Sequence, residues 1–321
     1  MRPEASISES AERIARRIKL SDLRLLRAVV DRGGMAKAAR YLNMSQPGVS
    51  KGIAALEQTL GVRLLDRHAT GIEPTVYGRA LLSGGAAVFD ELRKSVAQVR
   101  YLVDPTAGEL RIGCSQPLSF GLVSAVIEQM NRKHSGIRFV AVEDDTVPLQ
   151  SRELRQRRVE MVLGRSPVPS SEPDMDAEAL FNDQIVVVAS VDSPWARRRG
   201  LRLADLLDAP WIVPPYGSFV GELVQEAFRD AGLTPPEPAV STHSIPVQVN
   251  MIASGRHIGI LPGSMLHFSA KRFGLKALRV KLAHRPSPVA IITLRNRTLS
   301  PLADLFIKYA RELSKPLAAS N

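Results

Sequence analysis

Four side chains near residue 50 carry the most specific chemistry in this 321-residue chain: Gln46, Pro47, Ser50 and Lys51. A glutamine amide can bond adenine through two atoms at once. A lysine ammonium reaches the acceptor edge of guanine, a serine hydroxyl bonds either kind of base edge, and a proline ring can touch a thymine methyl. On a helix these four share the polar face, while Val49, Ile53, Leu56 and Leu60 recur at helical spacing on the opposite, apolar face. Ser45 is suited to cap such a helix, and Pro47 falls in its first turn, where no backbone donor is lost. The positive end of that helix also favours a nearby phosphate.

The elements needed to position this face precede it. Leu23, Leu26, Ala28, Val29 and Val30 predict an apolar helix face after Leu20, with Ser21 as its cap and Gly33-Gly34 as its end. A short alanine-rich helix is expected over 35–42, a turn at Asn43-Met44, and then the polar-faced helix over 46–60. Helix, short helix, tight turn, helix is the arrangement that lays a last helix in the major groove. Three short helices with polar faces also occur in domains that bind no nucleic acid, so periodicity alone leaves both readings open. Residues 61–74 read as a β-wing carrying Arg63, Arg67 and His68, with Arg67 the expected phosphate contact and Thr75 the cap of the helix that follows. Residues 1–18 read as a polar, frayed leader that turns helical near Ile14 and Ile18, with Arg13, Arg16 and Arg17 at its end.

Charge agrees with this placement. The formal net charge is +11, and residues 1–100 hold 17 Lys and Arg against 10 Asp and Glu, while the remainder holds 26 against 22. The basic excess therefore sits mainly in the first third, which suits a polyanionic partner such as nucleic acid or an anionic membrane surface.

From 77 to 102 the pattern is continuously helical. Leu81, Gly85, Val88, Leu92, Ser95, Val99 and Leu102 repeat in steps of three and four, a seam that fits either a second copy of the chain or the helix's own domain. Residues 104–108 (Asp104-Pro105-Thr106-Ala107-Gly108) read as a hinge.

The rest alternates strands with helices. Strands are expected at 109–114, 137–142, 160–163, 185–189, 211–213, 258–261 and 289–293, and helices after Pro117, over 149–157 and over 221–231. That alternation predicts an α/β domain around mostly parallel sheets, and about 215 residues suggest two lobes. Ligands in such folds lie beyond the carboxyl ends of strands, often against helix N-termini. Ser115-Gln116-Pro117, Asp145-Thr146 and Gly217-Ser218 fall at such points and suit an anionic or polyhydroxylated ligand. Taken singly, each hydroxyl reads first as an ordinary helix cap rather than a ligand contact.

Several classes are disfavoured. One cysteine, Cys114, rules out an intrachain disulfide and a Cys-rich zinc site, and its place at the end of an apolar strand reads as a small buried hydrophobe. There is no GxSxG, GxxxxGK[ST], HExxH or CxxC, and the Ser, His and Asp residues form no recognisable nucleophile–base set. No run of about 18 apolar residues and no signal-like leader occurs, so a cytoplasmic protein is expected.

The stretch from Ala38-Ala39-Arg40-Tyr41-Leu42-Asn43-Met44 through Ser45-Gln46-Pro47-Gly48-Val49-Ser50-Lys51, with Leu56-Glu57 and the run Leu60-Gly61-Val62-Arg63-Leu64-Leu65-Asp66-Arg67, closely resembles the LysR-type transcriptional regulators. The resemblance extends over 19–315. It implies a winged helix-turn-helix at 19–76, a long linker and dimerisation helix at 77–104, and an α/β two-lobed effector domain resembling type 2 periplasmic binding proteins. In that layout lobe 1 takes 108–184 and 275–316 and lobe 2 takes 185–274. It further implies a DNA-binding set of Ser45, Gln46, Pro47, Ser50, Lys51, Arg67 and Thr75. The implied effector set is Ser115, Gln116, Pro117, Thr146, Ser218, His243 and Ser244.

Expected partners are promoter DNA, a small-molecule effector, further copies of the chain in a homodimer or homotetramer, and RNA polymerase; no cofactor, metal or enzymatic activity is expected. An architectural DNA-binding protein without effector response, or a small-molecule enzyme, are the alternatives. Gly71-Ile72-Glu73-Pro74-Thr75-Val76-Tyr77-Gly78, Val162-Leu163-Gly164-Arg165 and Val213-Pro214-Pro215-Tyr216-Gly217-Ser218 look like a subgroup that includes the galactose-binding-protein regulator and a protocatechuate-pathway regulator, which implies sugars or aromatic and organic acids as effectors.

The chain departs from the family at a few places. Gly34 stands where Ser or Thr caps the second helix, Arg157 where Gly is common, and Glu160 where Asp is commoner. Gly48 and Gly52 inside the recognition helix should cost about 1 kcal/mol each relative to Ala.

Overall fold

The computed structural model describes residues 12–68, 71–167, 169–280, 282 and 287–319. Of the expected leader, residues 1–11 lie outside the described residues, while 12–17 are helical. The chain forms two compact units, one ending at Arg93 and the other starting at Lys94.

The first unit contains helices Leu20–Arg32, Met35–Leu42 and Gln46–Leu60, a hairpin of β1 (Leu65–His68) and β2 (Gly71–Pro74), and the first part of the long helix Val76–Val103. Leu26, Val29, Ala38, Val49, Ile53 and Leu64 meet in one core. Ser21 does not cap the first helix. The helix starts at Leu20, and the Asp22 carboxylate, three residues past Lys19, accepts the Lys19 N–H at 2.9 Å. Gly33 ends it in the left-handed conformation, at φ 67°.

Gly52 is a packing residue: a Cβ there would lie 2.4 Å from Leu25 Cδ2, so its absence lets the first and third helices approach closely. The expected boundary at 76/77 also shifts. Leu81 and Leu82 join the core of this unit, and Gly85 faces Leu23, so residues 77–93 pack with the helices before them.

The second unit holds two five-stranded sheets. In the first, the order is β4-β3-β5-β12-β6, from β3 (Ala107–Cys114), β4 (Gly136–Glu143), β5 (Met161–Arg165), β6 (Met175–Asp183) and β12 (Ser287–Leu294). In the second, the order is β11-β7-β10-β8-β9, from β7 (Ile185–Ser190), β8 (Trp211–Val213), β9 (Val240–Ser241), β10 (Ile258–Pro262) and β11 (Leu275–Ala277). The expectation of mostly parallel sheets is corrected, because each sheet is half parallel and half antiparallel. The chain leaves the first sheet through β6, enters the second through β7 and returns through β12, and these crossing strands run against their neighbours. The lobe boundary at 275 is corrected too. β11 pairs with β7, and Leu278, Val280 and Leu282 pack in the second lobe's core, so the chain returns to the first lobe only after 282.

Two helices differ from expectation near the strand ends. The run 116–133 widens to a π-type turn over Ser119–Val123. The ordinary helix expected at 149–157 is instead a short turn, Thr146–Pro148, followed by a π-type turn, Leu149–Leu154, in which the Arg155 N–H reaches the Gln150 carbonyl at 3.0 Å. At this wider turn Leu149 and Leu154 are both drawn into one core cluster. The turn closes with Arg157 at φ 57°, the conformation that explains why glycine is common there. Between helix and sheet, Asp104-Pro105-Thr106 forms a tight turn rather than a five-residue hinge, since β3 already begins at Ala107. The Thr106 N–H and hydroxyl donate to the Asp104 carboxylate at 2.9 and 2.6 Å and hold its pKa below the ordinary value.

Candidate nucleic-acid interface and ligand cleft

The recognition helix Gln46–Leu60 is held on three sides. Ser45 Oγ accepts the Gly48 N–H at 3.2 Å and fixes the first turn. Val49, Ile53 and Leu56 are buried beneath it. Near its end, Glu57 Oε1 accepts the N–H groups of Leu64 and Leu65 at 2.7 and 3.3 Å, tying helix to wing. That clamp was not read from sequence, because a glutamate on a half-buried face gives no local sign of a partner seven residues on. Gln46, Pro47 and Lys51 are exposed and Ser50 is half-exposed, so the expected reading face is free.

The wing pairs Leu65 with Pro74, Asp66 with Glu73, Arg67 with Ile72 and His68 with Gly71. Arg67 is exposed and forms no ion pair among the described residues. Thr75 differs from the others in the set. Its hydroxyl donates to the Arg63 carbonyl at 2.8 Å and accepts the Gly78 N–H at 3.1 Å, so it braces the wing against the long helix. Gly78 is required beside it, since a Cβ there would lie 2.1 Å from the Leu64 carbonyl oxygen.

On the long helix, the expected seam divides. Leu81 and Gly85 belong to the first unit's own packing. Val88, Leu92, Val96, Val99 and Val103 form an exposed apolar stripe, joined by Leu102.

The expected ligand residues of the second unit gather at the carboxyl ends of its parallel strands. Ser115 follows β3, and its N–H donates to Leu163 on β5 at 3.1 Å. Its hydroxyl makes no cap bond. Thr146 follows β4 and lies over Gly164 of β5, where any side chain would collide with it. In the other lobe, His243 and Ser244 follow β9, and Thr242 is anchored by donating its N–H to Val213 of β8 at 3.1 Å.

The two edges meet through Gln116, whose Oε1 accepts the Ile245 N–H at 3.0 Å. Gln116 therefore joins the lobes, and its amide oxygen is already engaged. The Ser244 hydroxyl accepts the Val247 N–H at 3.5 Å. Ser218 is the most committed of the set, donating to the Pro215 carbonyl at 2.7 Å and accepting the Gly221 N–H at 3.1 Å. Both of these bonds lie within its own lobe. His243 is exposed and Pro117 half-exposed beside this junction.

The chain matches the family model described as LysR substrate binding domain over residues 104–315, about two thirds of its length. It also matches the model described as bacterial regulatory helix-turn-helix protein, lysR family, over residues 20–79. The chain belongs to the LysR family of transcriptional regulators. It is a DNA-binding regulator with an effector domain, and not an enzyme.

Among curated relatives of this LysR-family chain, "HTH-type transcriptional regulator GbpR" of Azospirillum brasilense is 27% identical over 317 residues, covering 95% of this chain and 92% of the relative. "Transcriptional dual regulator GltC" of Bacillus subtilis is 25% identical, covering 91% and 96%. Two solved structures share the fold. One is full-length CbnR complexed with its target DNA (TM-score 0.59, 21% identity, 92% of this chain and 99% of that one). The other is a full-length OxyR variant from Pseudomonas aeruginosa (TM-score 0.61, 21% identity, 94% and 96%).

Three residues of this LysR-family chain went unread as a group. The buried Asp183 carboxylate at the end of β6 accepts the Ser264 N–H at 3.0 Å and the Ser264 hydroxyl at 2.7 Å, joining the first lobe to helix Gly263–Phe273 of the second. Arg165, at the end of β5, brings its Nη2 to 3.5 Å from Asp183 Oδ2. An arginine closing a wholly apolar strand was the available signal. Cys114 behaves as expected of a buried hydrophobe: burial, then the nearby Glu143 charge, push its thiol up to about 12.

Proposed function

We propose that this regulator reads a dyad-symmetric promoter site with Gln46, Pro47, Ser50 and Lys51, helped by Arg67 at the backbone. Ser45 and Thr75 act by holding the helix and the wing. The carrying observation is that the polar face of the recognition helix stays exposed while its opposite face is buried. The exposed stripe from Val88 to Val103 supports pairing of linker helices between two copies, because an apolar helix stripe of this length lowers its free energy by burial. Two such dimers would form a homotetramer, with half-sites one helical turn apart, about 34–36 Å, or a multiple of it. The functional division follows a helix-turn-helix domain at 19–76, a linker helix at 77–104 whose first part, to Arg93, packs with that domain, and two lobes, with lobe 2 extended through 282.

The effector, a sugar or an organic or aromatic acid, sits between the lobes against Ser115, Pro117, Thr146, His243 and Ser244. Gln116 and Ser218 hold the walls. The Gln116–Ile245 bond supports this placement, because it brings the carboxyl edges of the parallel strands of both lobes together. Effector binding shifts the protein between two states by its differential affinity for them. RNA polymerase is the partner through which bound regulator acts, in the cytoplasm; no helix among the described residues is long and apolar enough to cross a membrane.

The test is a footprint on the chain's own upstream DNA, comparing wild type with Lys51→Ala across salt concentrations. The expected result is a discrete protected site, weakened by Lys51→Ala, whose log affinity falls as log salt rises. Diffuse protection of equal strength on any sequence would sink the readout.

A further inference from the structure

Arg165 occupies an unusual position for a cation. Its side chain is only 24% exposed. Its Nε is buried without a hydrogen-bond partner. Its one ionic neighbour among the described residues is Asp183, at 3.5 Å, and both carboxylate oxygens of Asp183 already accept closer bonds from Ser264. A desolvated guanidinium with five donors and one distant, shared anion is poorly compensated. Burial accordingly pulls its pKa below the ordinary arginine value, with Asp183 only partly opposing that shift.

Its place in the sheet makes the deficit meaningful. On β5, Met161 and Leu163 point to the core beneath helix 116–133, while Val162 points to the opposite core. Strand alternation sends Arg165 to the side of Met161 and Leu163, the side on which helix 116–133 starts. Ser115, with no cap bond on its hydroxyl, is bonded through its N–H to Leu163, two residues before Arg165. Thr146 lies over the opposite, Gly164 face, so Arg165 and Thr146 bracket the end of β5 from its two sides, beside Ser115 and at the edge that Asp183 and Ser264 tie to the other lobe.

Resting on the reading that the effector sits between the lobes, we propose that the effector carries a carboxylate or similar anionic group, and that Arg165 receives it in place of Asp183. A guanidinium fork matches a carboxylate through two parallel bonds, which satisfies the donors that Asp183 leaves open. Because Asp183 also holds Ser264 of the second lobe, capture of Arg165 by the effector changes the charge balance at the tie between lobes. The effector's charge is thereby coupled to lobe geometry through two contacts.

The experiment titrates the full-length protein by calorimetry with benzoate, succinate and glutamate, with benzamide and succinamide as uncharged counterparts, and with galactose. In parallel, each variant is checked by DNA footprint and thermal unfolding. At least one acid should bind saturably and its amide should not. Arg165→Met should weaken that acid by about tenfold or more, the range for a charge-assisted hydrogen bond, with the footprint kept and the unfolding temperature unchanged or raised. Asp183→Asn, which keeps an acceptor and a donor for Ser264, should tighten the acid by removing its competitor.

Equal binding of acid and amide, binding of galactose alone, or an Arg165→Met variant that binds the acid normally overturns the anion assignment. If galactose alone binds and Ser115→Ala with Thr146→Val abolishes that binding, the cleft survives as the effector site. No saturable binding by any probe overturns both. A large loss of unfolding temperature in Arg165→Met together with weaker acid binding in Asp183→Asn would make the pair a structural brace and overturn the proposal.

Discussion

The recognition helix and the mouth of the cleft use the same kinds of side chain, yet in the first the reading residues are idle within the chain and in the second three, Gln116, Ser218 and Ser244, are already employed. The Gln46 and Lys51 side chains are exposed and form no hydrogen bond or ion pair among the described residues, while Gln116 binds the other lobe and Ser218 is a saturated cap. A surface that will meet a large, rigid polyanion keeps its donors in water until contact. A cleft formed from strand ends and helix starts must first satisfy its own backbone, and serine, threonine and glutamine are the residues that do so. Polar identity therefore points to ligand contact far more directly on an exposed helix face than at a helix start.

The sharpest way to break the contrast is to disturb what holds the reading face. Gly78→Ala should destabilise the first unit by about 3 kcal/mol in chemical denaturation, because the added Cβ meets the Leu64 carbonyl oxygen at 2.1 Å, outweighing the usual helical gain from alanine. A stable variant would show that the wing can move away from the long helix. Next in size, Gln46→Ala should leave stability unchanged but cost about 1–3 kcal/mol on the cognate site and relax base preference there. Equal loss on every sequence would assign Gln46 to the backbone.

Caps supply a finer comparison. Ser218→Ala should lose about 1 kcal/mol of stability, since its hydroxyl accepts the Gly221 N–H, whereas Ser115→Ala should lose almost none and weaken only the effector response. Thermal unfolding of both variants beside an effector titration would show whether Ser115 is spare or structural. The smallest effect concerns Cys114. With its thiol pushed up to about 12 by burial, it stays protonated through neutral and mildly alkaline pH in the folded state, and a thiol reagent should label it only as fast as the protein unfolds. Rapid labelling of native protein would show that the end of β3 opens to solvent without global unfolding.

Much of the first unit was legible because its signals are local. The Val49, Ile53, Leu56 spacing, the Ser45 cap and the glycine at position 33 each act within a turn or two of helix, and all three lie where the sequence places them. Gly52 was legible as an oddity and not as a contact, since its reason is Leu25 on another helix. In the second unit the apolar strands stood out, whereas β6, with Asp176, Glu178 and Asn182 among its residues, did not, because it is exposed along much of its length.

What the sequence by itself determined is the helices of the first unit, the apolar strands and the chemistry of the reading face, because helix periodicity, caps and apolar runs are short-range properties. Only the tertiary structure decided which strands share a sheet, that 275–277 stays with the second lobe, and that Gln116, Asp183 and Arg165 face partners far along the chain. Those pairings depend on the chain crossing between lobes at Gln184 and returning through β12, and such closure over many residues leaves no mark on any local pattern.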